Sequence, residues 1–435
     1  MQNLSPAEST PALVHPAPPL MRAAPRPTGP IKVFLYSHDT FGLGHLRRNL
    51  AIAHRLLACN GKFSVLLLTG SPVIGQWDLP PGLQVQPLPP VVKTGAESYE
   101  ARAKGQIFGM VKGYREALIL KLVLREQPDV FLVDHAPAGM NGELLSTLAL
   151  IRQEHPHTRV MLGLRDILDS PENVSAIWRE QNIHALLAHA YDNILVYGSR
   201  TLFDVVENYG ITKENAQKVI YCGHVVAQPE PRSSHETAPC WNTARAAGRP
   251  VVLVTAGGGG DGFFLMRAYL EALPKMSPGT HYSVIVPGPL MSAHESAALH
   301  AAAAACDDVE LVDFTTNLVP SLRAAGLVIA MAGYNTSAEI IAWKKPAILV
   351  PRAAPRAEQL IRARMLAALG LVDVVEPDTD VAAQLAGMVP ACLARPPVPE
   401  TLWAALDLDG AERVAALLAS SCETQPARHA GASLV

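Results

Sequence analysis

IKVFLY (residues 31–36), followed after a short polar stretch by FGLGHLRRNLAIAHRLL (residues 41–57), decides how the chain begins to fold. The first run is short, apolar and rich in β-formers, as a buried strand requires. In the second, Leu46, Leu50, Ala53 and Leu57 recur at helical spacing, so a helix with one buried face starts just behind the glycines. Strand, glycine loop and helix form one unit. It places Gly42, Gly44, His45 and Arg47 at the carboxyl end of a parallel strand, beside a helix N-terminus whose N–H groups favour anionic or polar ligands. A dinucleotide site is the rival reading, but the spacing Gly42-x-Gly44-x-x-Arg47 lacks the third glycine that lets helix and strand pack closely. His45 keeps two readings here: a capping or core imidazole, and a functional group facing a ligand crevice.

Outward from this unit the pattern repeats. Strands are expected at 64–69, 129–134, 159–164, 193–198 and 218–223, separated by helical segments. A polar, proline-containing stretch at 227–250 reads as a linker, and a second series follows at 251–255, 282–286, 309–312, 327–331, 346–350 and 372–375. The fold class is therefore α/β: two Rossmann-like, doubly wound domains, 31–226 and 251–395, with a ligand cleft between facing strand ends. A helical segment at 396–422 and a tail at 423–435 complete the chain. Residues 1–30 hold eight prolines among small residues and are expected to stay outside the fold as a disordered tail.

Composition narrows the function. A net charge of −3 over 435 residues gives no electrostatic footprint for nucleic acid. The six cysteines show no C-x-x-C pair or metal-ligand spacing, which suits a reducing compartment and indicates neither a zinc site nor a disulfide framework. No apolar run is long enough to span a membrane, so the expected address is the cytoplasm.

Three loops of the second series carry polar groups to one sheet edge. TAGGGGDGFF (255–264) follows a strand and precedes a helix. Its glycines, Gly257, Gly258 and Gly259 among them, let backbone amides approach a phosphate, and a nucleotide diphosphate would fit. It lacks the Gly-Lys-Ser/Thr ending of a P-loop, and Asp261 is expected to cap the next helix. In MAGYNTSAEIIAWKK (331–345) a strand ends near Gly333 and a helix begins around Thr336, with Glu339 in its first turn. That carboxylate suits either a ribose diol or the helix dipole. In PRAAPRAEQLIRARM (351–365), Glu358 and Gln359 open another helix beside Arg352 and Arg356.

This ordered set resembles the GT-B glycosyltransferases, in particular the group containing the bacterial enzyme that adds N-acetylglucosamine to the lipid-linked peptidoglycan precursor. The set is a Gly-x-Gly-His loop, a glycine-rich loop after the linker, a Gly-x-x-x-x-x-Glu segment and a Glu-Gln pair after a strand-ending Val-Pro. The resemblance implies an acceptor-binding first domain and a second domain binding a nucleotide-sugar donor, expected to be UDP-linked. On it, Gly333, Asn335, Thr336 and Glu339 hold the nucleotide, with Glu339 on the ribose, and Glu358 and Gln359 lie near the donor sugar. It also implies a lipid-linked acceptor or a polysaccharide precursor, and peripheral contact with the inner membrane face. The chain departs from the family's Gly-Gly-His start in having Leu43 between the glycines and Arg47-Arg48 after the histidine. No basic apolar membrane patch is legible, and the peptidoglycan activity itself is not part of the expectation.

Glycosyl transfer needs a base for the acceptor hydroxyl and stabilisation of a leaving diphosphate. His45 is the candidate base; Asp134-His135 and Arg165-Asp166, both at strand ends, are pairs able to supply or orient it through Asp134 or Asp166. Asp378-Thr379-Asp380 and Asp407-Leu408-Asp409 fall outside the donor loops and are assigned no metal, the first being read as a cap for a helix at Val381. Family analogy then favours an inverting, metal-independent transfer with no cofactor. A nucleotide-sugar epimerase of the same architecture and a noncatalytic nucleotide-sugar sensor are the alternatives.

Overall fold

The computed structural model describes residues 29–38, 43–93, 99–103, 105–226, 248–312 and 318–423. Gly42, most of the expected linker and most of both expected tails lie outside the described residues.

The first half builds a seven-stranded sheet from β1 (Ile31–Ser37), β2 (Phe63–Thr69), β3 (Gln84–Pro87), β6 (Val130–Asp134), β7 (Arg159–Arg165), β8 (Asn193–Tyr197) and β9 (Val219–Tyr221). Their order is β3-β2-β1-β6-β7-β8-β9, and every pairing is parallel. Between them, β4 (Val91–Lys93) and β5 (Tyr99–Ala101) form a small antiparallel pair. The second half builds a six-stranded parallel sheet in the order β12-β11-β10-β13-β14-β15. It comprises β10 (Val251–Thr255), β11 (Tyr282–Val286), β12 (Val309–Leu311), β13 (Leu327–Ala330), β14 (Ala347–Leu349) and β15 (Asp373–Val374). Each apolar run read as a strand contains one. The additions are β3, β4 and β5: QVQP of β3 sits half exposed at the sheet edge, with no apolar run to mark it.

Both sheets are covered on two faces, so their central strands are apolar throughout rather than alternating. In β1, for example, Val33 and Leu35 pack into one core layer while Phe34 and Tyr36 pack into the other. The helix Gly44–Leu57 lays Leu46, Leu50, Ala53 and Leu56 on the first of these layers. The C-terminal helix, Gly410–Glu423, crosses back to that same layer and buries Val414, Leu418 and Cys422 there. Each fully buried aliphatic side chain contributes about 1.5–3 kcal/mol, so this helix ties the end of the second half to the first. The crossing is tight: a Cβ at Gly410 would come within 2.5 Å of the Gly223 carbonyl oxygen, and the His224 amide donates to the Asp407 carbonyl at 2.8 Å.

The strand order turns at β1/β6 in one sheet and at β10/β13 in the other. Loops diverge from such switch points at the carboxyl ends of the strands and leave a crevice between them. The two crevices face each other.

Candidate functional site

A cavity of about 200 Å³ lies where the two switch points meet. Its N-terminal wall is Leu43, Gly44, His45, Arg47, Arg48 and Arg165. His45 is the second residue of its helix, at the carboxyl end of β1, and Asp134 ends the adjacent β6. His45 Nδ1 and Asp134 Oδ2 are 2.6 Å apart. An ionised carboxylate only accepts, so Nδ1–H donates and Nε2 is left as the basic nitrogen. The other Asp134 oxygen accepts from Arg48 Nη2 at 2.6 Å and Nε at 3.1 Å. Burial works against the Asp134 charge, but Arg48 and His45 outweigh it and hold the carboxyl well below its usual range. Burial also lowers the His45 pKa from its ordinary 6.5, against the upward pull of Asp134. The imidazole is therefore neutral at pH 7. Burial brings Arg165 down to about 10, which leaves it charged.

The C-terminal wall is chiefly backbone. The loop after β10 presents Gly257, Gly258, Gly259 and Gly260, and the loop after β13 presents Gly333, Asn335 and Thr336. Gly257 and Gly259 have φ of +63° and +85°, and a Cβ on Gly259 would overlap the Pro287 carbonyl oxygen. The loop docks on Gly288, whose φ is +93°, and Leu290 N donates to Gly258 O at 2.9 Å. Four helices start at the cleft, at Gly44, Phe263, Tyr334 and Glu358. Their N-cap residues, Leu43, Gly262, Gly333 and Ala357, provide no side-chain cap. Away from the cleft, Ser170, Asp204, Thr212, Ser292 and Asp380 each cap a helix with a side chain, whereas the helices starting at Phe108, Leu145, Ile183 and Glu400 have no such cap. Uncapped amides and Arg47, Arg48, Arg165 and Arg352 thus surround one small volume, an environment suited to an anion.

Several expected residues sit differently. Asp166 does not line the cavity: Arg362 Nε and Nη2 donate to its two oxygens at 2.8 and 2.6 Å, and both side chains are 1% exposed. Burial disfavours its charge, and Arg362 more than offsets this, keeping the carboxyl well below the usual range. It is a bond between the halves rather than a group facing the crevice. Asp261 does not cap the following helix, whose N-cap is Gly262; its carboxylate lies 2.7 Å from Arg352 Nε, which offsets its charge beside the glycine loop. The helix expected around Thr336 starts at Tyr334, which moves Glu339 beyond the first turn and away from the helix dipole's strongest field. Glu339 does not line the cleft cavity but a small adjoining space beside Arg47, Arg48 and Asn335, where its Oε1 pairs with Arg47 and its buried Oε2 has no hydrogen-bond partner. Burial raises the Glu339 pKa, and Arg47 opposes it. Glu358 pairs with Arg352 at 2.9 Å, and Gln359 Oε1 accepts from the Arg352 amide at 3.5 Å. Asn335 Nδ2 donates to Gly44 O at 3.1 Å, closing the same seam.

Arg48, Tyr334 and Arg362 were not singled out by the sequence. Tyr334 is wedged between the halves, its hydroxyl accepting from Val225 N at 2.9 Å, with the Arg48 and Arg362 guanidinium carbons 5.3 and 5.9 Å from its ring centre. The only local sign was the Arg47-Arg48 doublet, and nothing near Arg362 separates it from a surface arginine. Asp380 does cap its helix, accepting from Ala383 N at 3.0 Å. Among the described residues no group of three or more His, Cys, Asp or Glu is placed to hold a metal ion, and no helix is long and apolar enough to cross a membrane.

Residues 251–402 match the family model described as the glycosyltransferase family 28 C-terminal domain. No curated protein matches the sequence. Among solved structures, a glycosyltransferase from Rickettsia africae is 12% identical and aligns over 91% of this chain and 100% of its own, with a TM-score of 0.56. MurG of Acinetobacter baumannii is 14% identical over 90% of this chain and 100% of its own, with a TM-score of 0.52. A UDP-glucosyltransferase from Polygonum tinctorium, capable of glucosylating indoxyl, is 14% identical over 93% and 100%, with a TM-score of 0.61.

Proposed function

From a chain that has the GT-B glycosyltransferase fold and resembles the MurG group, with a family 28 C-terminal domain, we propose a glycosyltransferase that moves a hexose from a UDP-sugar to an acceptor hydroxyl. One observation carries the reading: a neutral, carboxylate-oriented histidine faces three uncapped helix starts across a single cleft. The first is the equipment of a general base, and the second is the equipment for a leaving diphosphate.

In this reading the donor's diphosphate lies against the 257–260 loop and the amides at Gly333–Thr336. The unpartnered Oε2 of Glu339, in the small space adjoining the cleft, accepts from the ribose diol, while Glu358 and Gln359, which line the cleft, reach the sugar. The acceptor oxygen attacks the anomeric carbon as its proton passes to His45 Nε2. The bond from that carbon to the phosphate oxygen breaks, and the nucleoside diphosphate leaves with the electron pair. A single in-line displacement inverts the anomeric centre. Asp134 holds the tautomer and stabilises the imidazolium that forms. Arginines and helix ends stabilise the departing charge, so the step needs no metal ion. Residues 31–226 then act as the acceptor domain and 251–395 as the donor domain, with closure about the segment at 227–250.

The test is a panel of nucleotide sugars scored by thermal stabilisation, followed by product analysis with and without added acceptors. A ligand that binds only the folded chain raises its melting temperature by mass action. Stabilisation by UDP-sugars with release of UDP on adding acceptor supports transfer. An epimerised donor formed without acceptor makes the protein an epimerase, and binding without turnover makes it a sensor.

A further inference from the structure

A second cavity, of about 680 Å³, lies within the N-terminal half, more than three times the volume of the cleft's 200 Å³. Its wall is made by three helices, Leu145–Glu154, Pro171–Glu180 and Ile183–Ala190, which turn Leu145, Leu148, Ile177, Trp178, Ile183 and Leu186 toward it. Nothing in the transfer chemistry described above uses this space. Its size falls within the roughly 300–1,000 Å³ that encloses a small organic ligand.

The cavity adjoins the catalytic histidine. His38 and His135 line one end of it, and their ring centres stand 5.7 and 5.1 Å from that of His45, which lines the cleft on the other side. Arg356 lines the cavity and Arg352 the cleft, so the loop after β14 also borders both spaces. His135 is held at φ +68° and its buried Nδ1 has no hydrogen-bond partner. Elsewhere in the cavity, Arg152 Nη2 donates to the Ala190 carbonyl and to Asp192 while its buried Nη1 has no hydrogen-bond partner, and Asp169 accepts from the Ser170 and Ala357 amides at 2.8 Å each. Arg152, Gln181, Asn182 and His189 also touch the cavity, but most of the surface it presents is apolar.

We infer that this cavity is the acceptor pocket, and that it takes a compact apolar, ring-bearing molecule whose single nucleophilic hydroxyl lies at the His38–His135 end, within reach of His45. The inference rests on the transferase reading and adds the acceptor's chemical class. A carbohydrate acceptor is disfavoured because its hydroxyls outnumber the few polar groups of the lining, and those set against Leu, Ile and Trp side chains would be buried without partners, at a cost for each. An apolar ring loses no hydrogen bonds there and gains the burial.

Two phenols, 4-nitrophenol and 4-hydroxy-4′-nitrobiphenyl, test this without turnover, because both absorb where tryptophan emits and Trp178 lies in the wall. Titrated into the full chain without donor, they should quench tryptophan fluorescence saturably, and Trp178→Phe should remove most of the quenching. The second ring should tighten binding by about tenfold or more. Ala149→Trp and Ala185→Trp fill the cavity from two different helices, and each should weaken the biphenyl by at least about tenfold while UDP affinity, read by calorimetry, stays within about twofold. Retained UDP binding shows that the filled variant is folded. With a UDP-sugar, the phenols should be glycosylated and cellobiose should not. No saturable quenching in wild type, or equal quenching in both filled variants, overturns the pocket assignment even if another acceptor is glycosylated. Saturable quenching lost in the filled variants, with no transfer from any nucleotide sugar, keeps the pocket and overturns the transferase reading instead.

Discussion

On the N-terminal side of the cleft the groups facing the ligand space are side chains, His45, Arg47, Arg48 and Arg165, whereas the C-terminal side answers mainly with glycine backbone and bare helix ends, joined by Arg352, Glu358 and Gln359. The side-chain wall is held in place by buried charge: Asp134 between His45 and Arg48, and Asp166 on Arg362. The backbone wall is held by close approach, such as Gly259 against Pro287 and Gly288 against Gly257. The difference teaches a division of labour. Proton transfer needs a titratable group with a tuned environment, and a diphosphate needs many weak, fixed donors that a Cβ would push away. Changes on the first wall should therefore alter turnover or folding, and changes on the second should alter donor affinity.

The sharpest way to break this division is His45→Ala. Turnover should fall by about 10²–10⁴-fold, the usual range for a lost general base, with UDP affinity by calorimetry unchanged. A variant with lowered melting temperature and normal turnover per folded molecule would return His45 to a capping or core role. The pH profile adds a sign. The base works deprotonated, and burial sets the His45 pKa below 6.5 while Asp134 pulls it upward, so the acid limb of kcat/KM lies below pH 6.5. Asp134→Asn removes the upward pull and should move that limb to still lower pH.

Asp166→Asn probes the same wall from behind. It leaves Arg362 buried without its counterion, a loss of about 3–5 kcal/mol in unfolding free energy, with turnover per folded molecule near wild type. A large loss of turnover in stable protein would bring Asp166 back into the chemistry. In the wild type, the folded pKa values of Asp134 and Asp166 are depressed. Their contribution to stability is thus complete above the unfolded value of about 3.9 and lost as pH falls below it. Acid unfolding followed by circular dichroism should begin below about pH 4.

On the backbone wall, Gly259→Ala forces a side chain onto a φ of +85° and into the Pro287 carbonyl. The strain is of order 1–3 kcal/mol, and calorimetry should show it as weakened UDP binding while turnover at saturating donor is kept. Glu339→Ala should weaken UDP by about 1–3 kcal/mol, the cost of losing a charged hydrogen-bond partner. Unchanged affinity would remove Glu339 from the ribose.

The two walls also differ in how legible they were. Strand, glycine loop and helix repeat locally, so the periodicity of Leu46, Leu50 and Ala53 or the run at Val251–Thr255 announced the fold and put His45 and the 257–259 glycines at strand ends. The charge network is nonlocal. Arg48 and Asp134 are 86 residues apart, and Asp166 and Arg362 are 196 apart. An arginine on an amphipathic helix reads as solvent-facing until its partner is known. Asp166 was read as able to supply or orient the base for the same reason, since a strand end looks alike whether its carboxylate meets a ligand or another domain. The helix at 410–423 was read only as part of a helical segment at 396–422, and only the folded chain reveals that its apolar face belongs to the first sheet. Gly288 was missed because its loop is short and its need for positive φ comes from the loop docked upon it.

Capping supplies the smallest and most specific test of the comparison, because one cap was legible locally and its helix lies away from the cleft. Asp380 accepts from Ala383 N at 3.0 Å on a helix that does not reach the cleft. Asp380→Ala should therefore cost about 1 kcal/mol, a melting shift of a few degrees, with UDP affinity and turnover unchanged. Gly333→Asp is the counterpart. Gly333 already has N-cap backbone geometry, φ −64° and ψ 148°, and a Cβ there meets nothing within 4 Å, so the new carboxylate can cap the helix at Tyr334. The free protein should become slightly more stable, by a few tenths of a kcal/mol, because aspartate caps only modestly better than glycine. UDP should bind more weakly, since the amides it uses are then occupied by a fixed negative charge. If the two substitutions shifted UDP affinity alike, the bare helix ends at the cleft would be no different from the capped ones elsewhere, and the anion-binding wall would lose its physical basis.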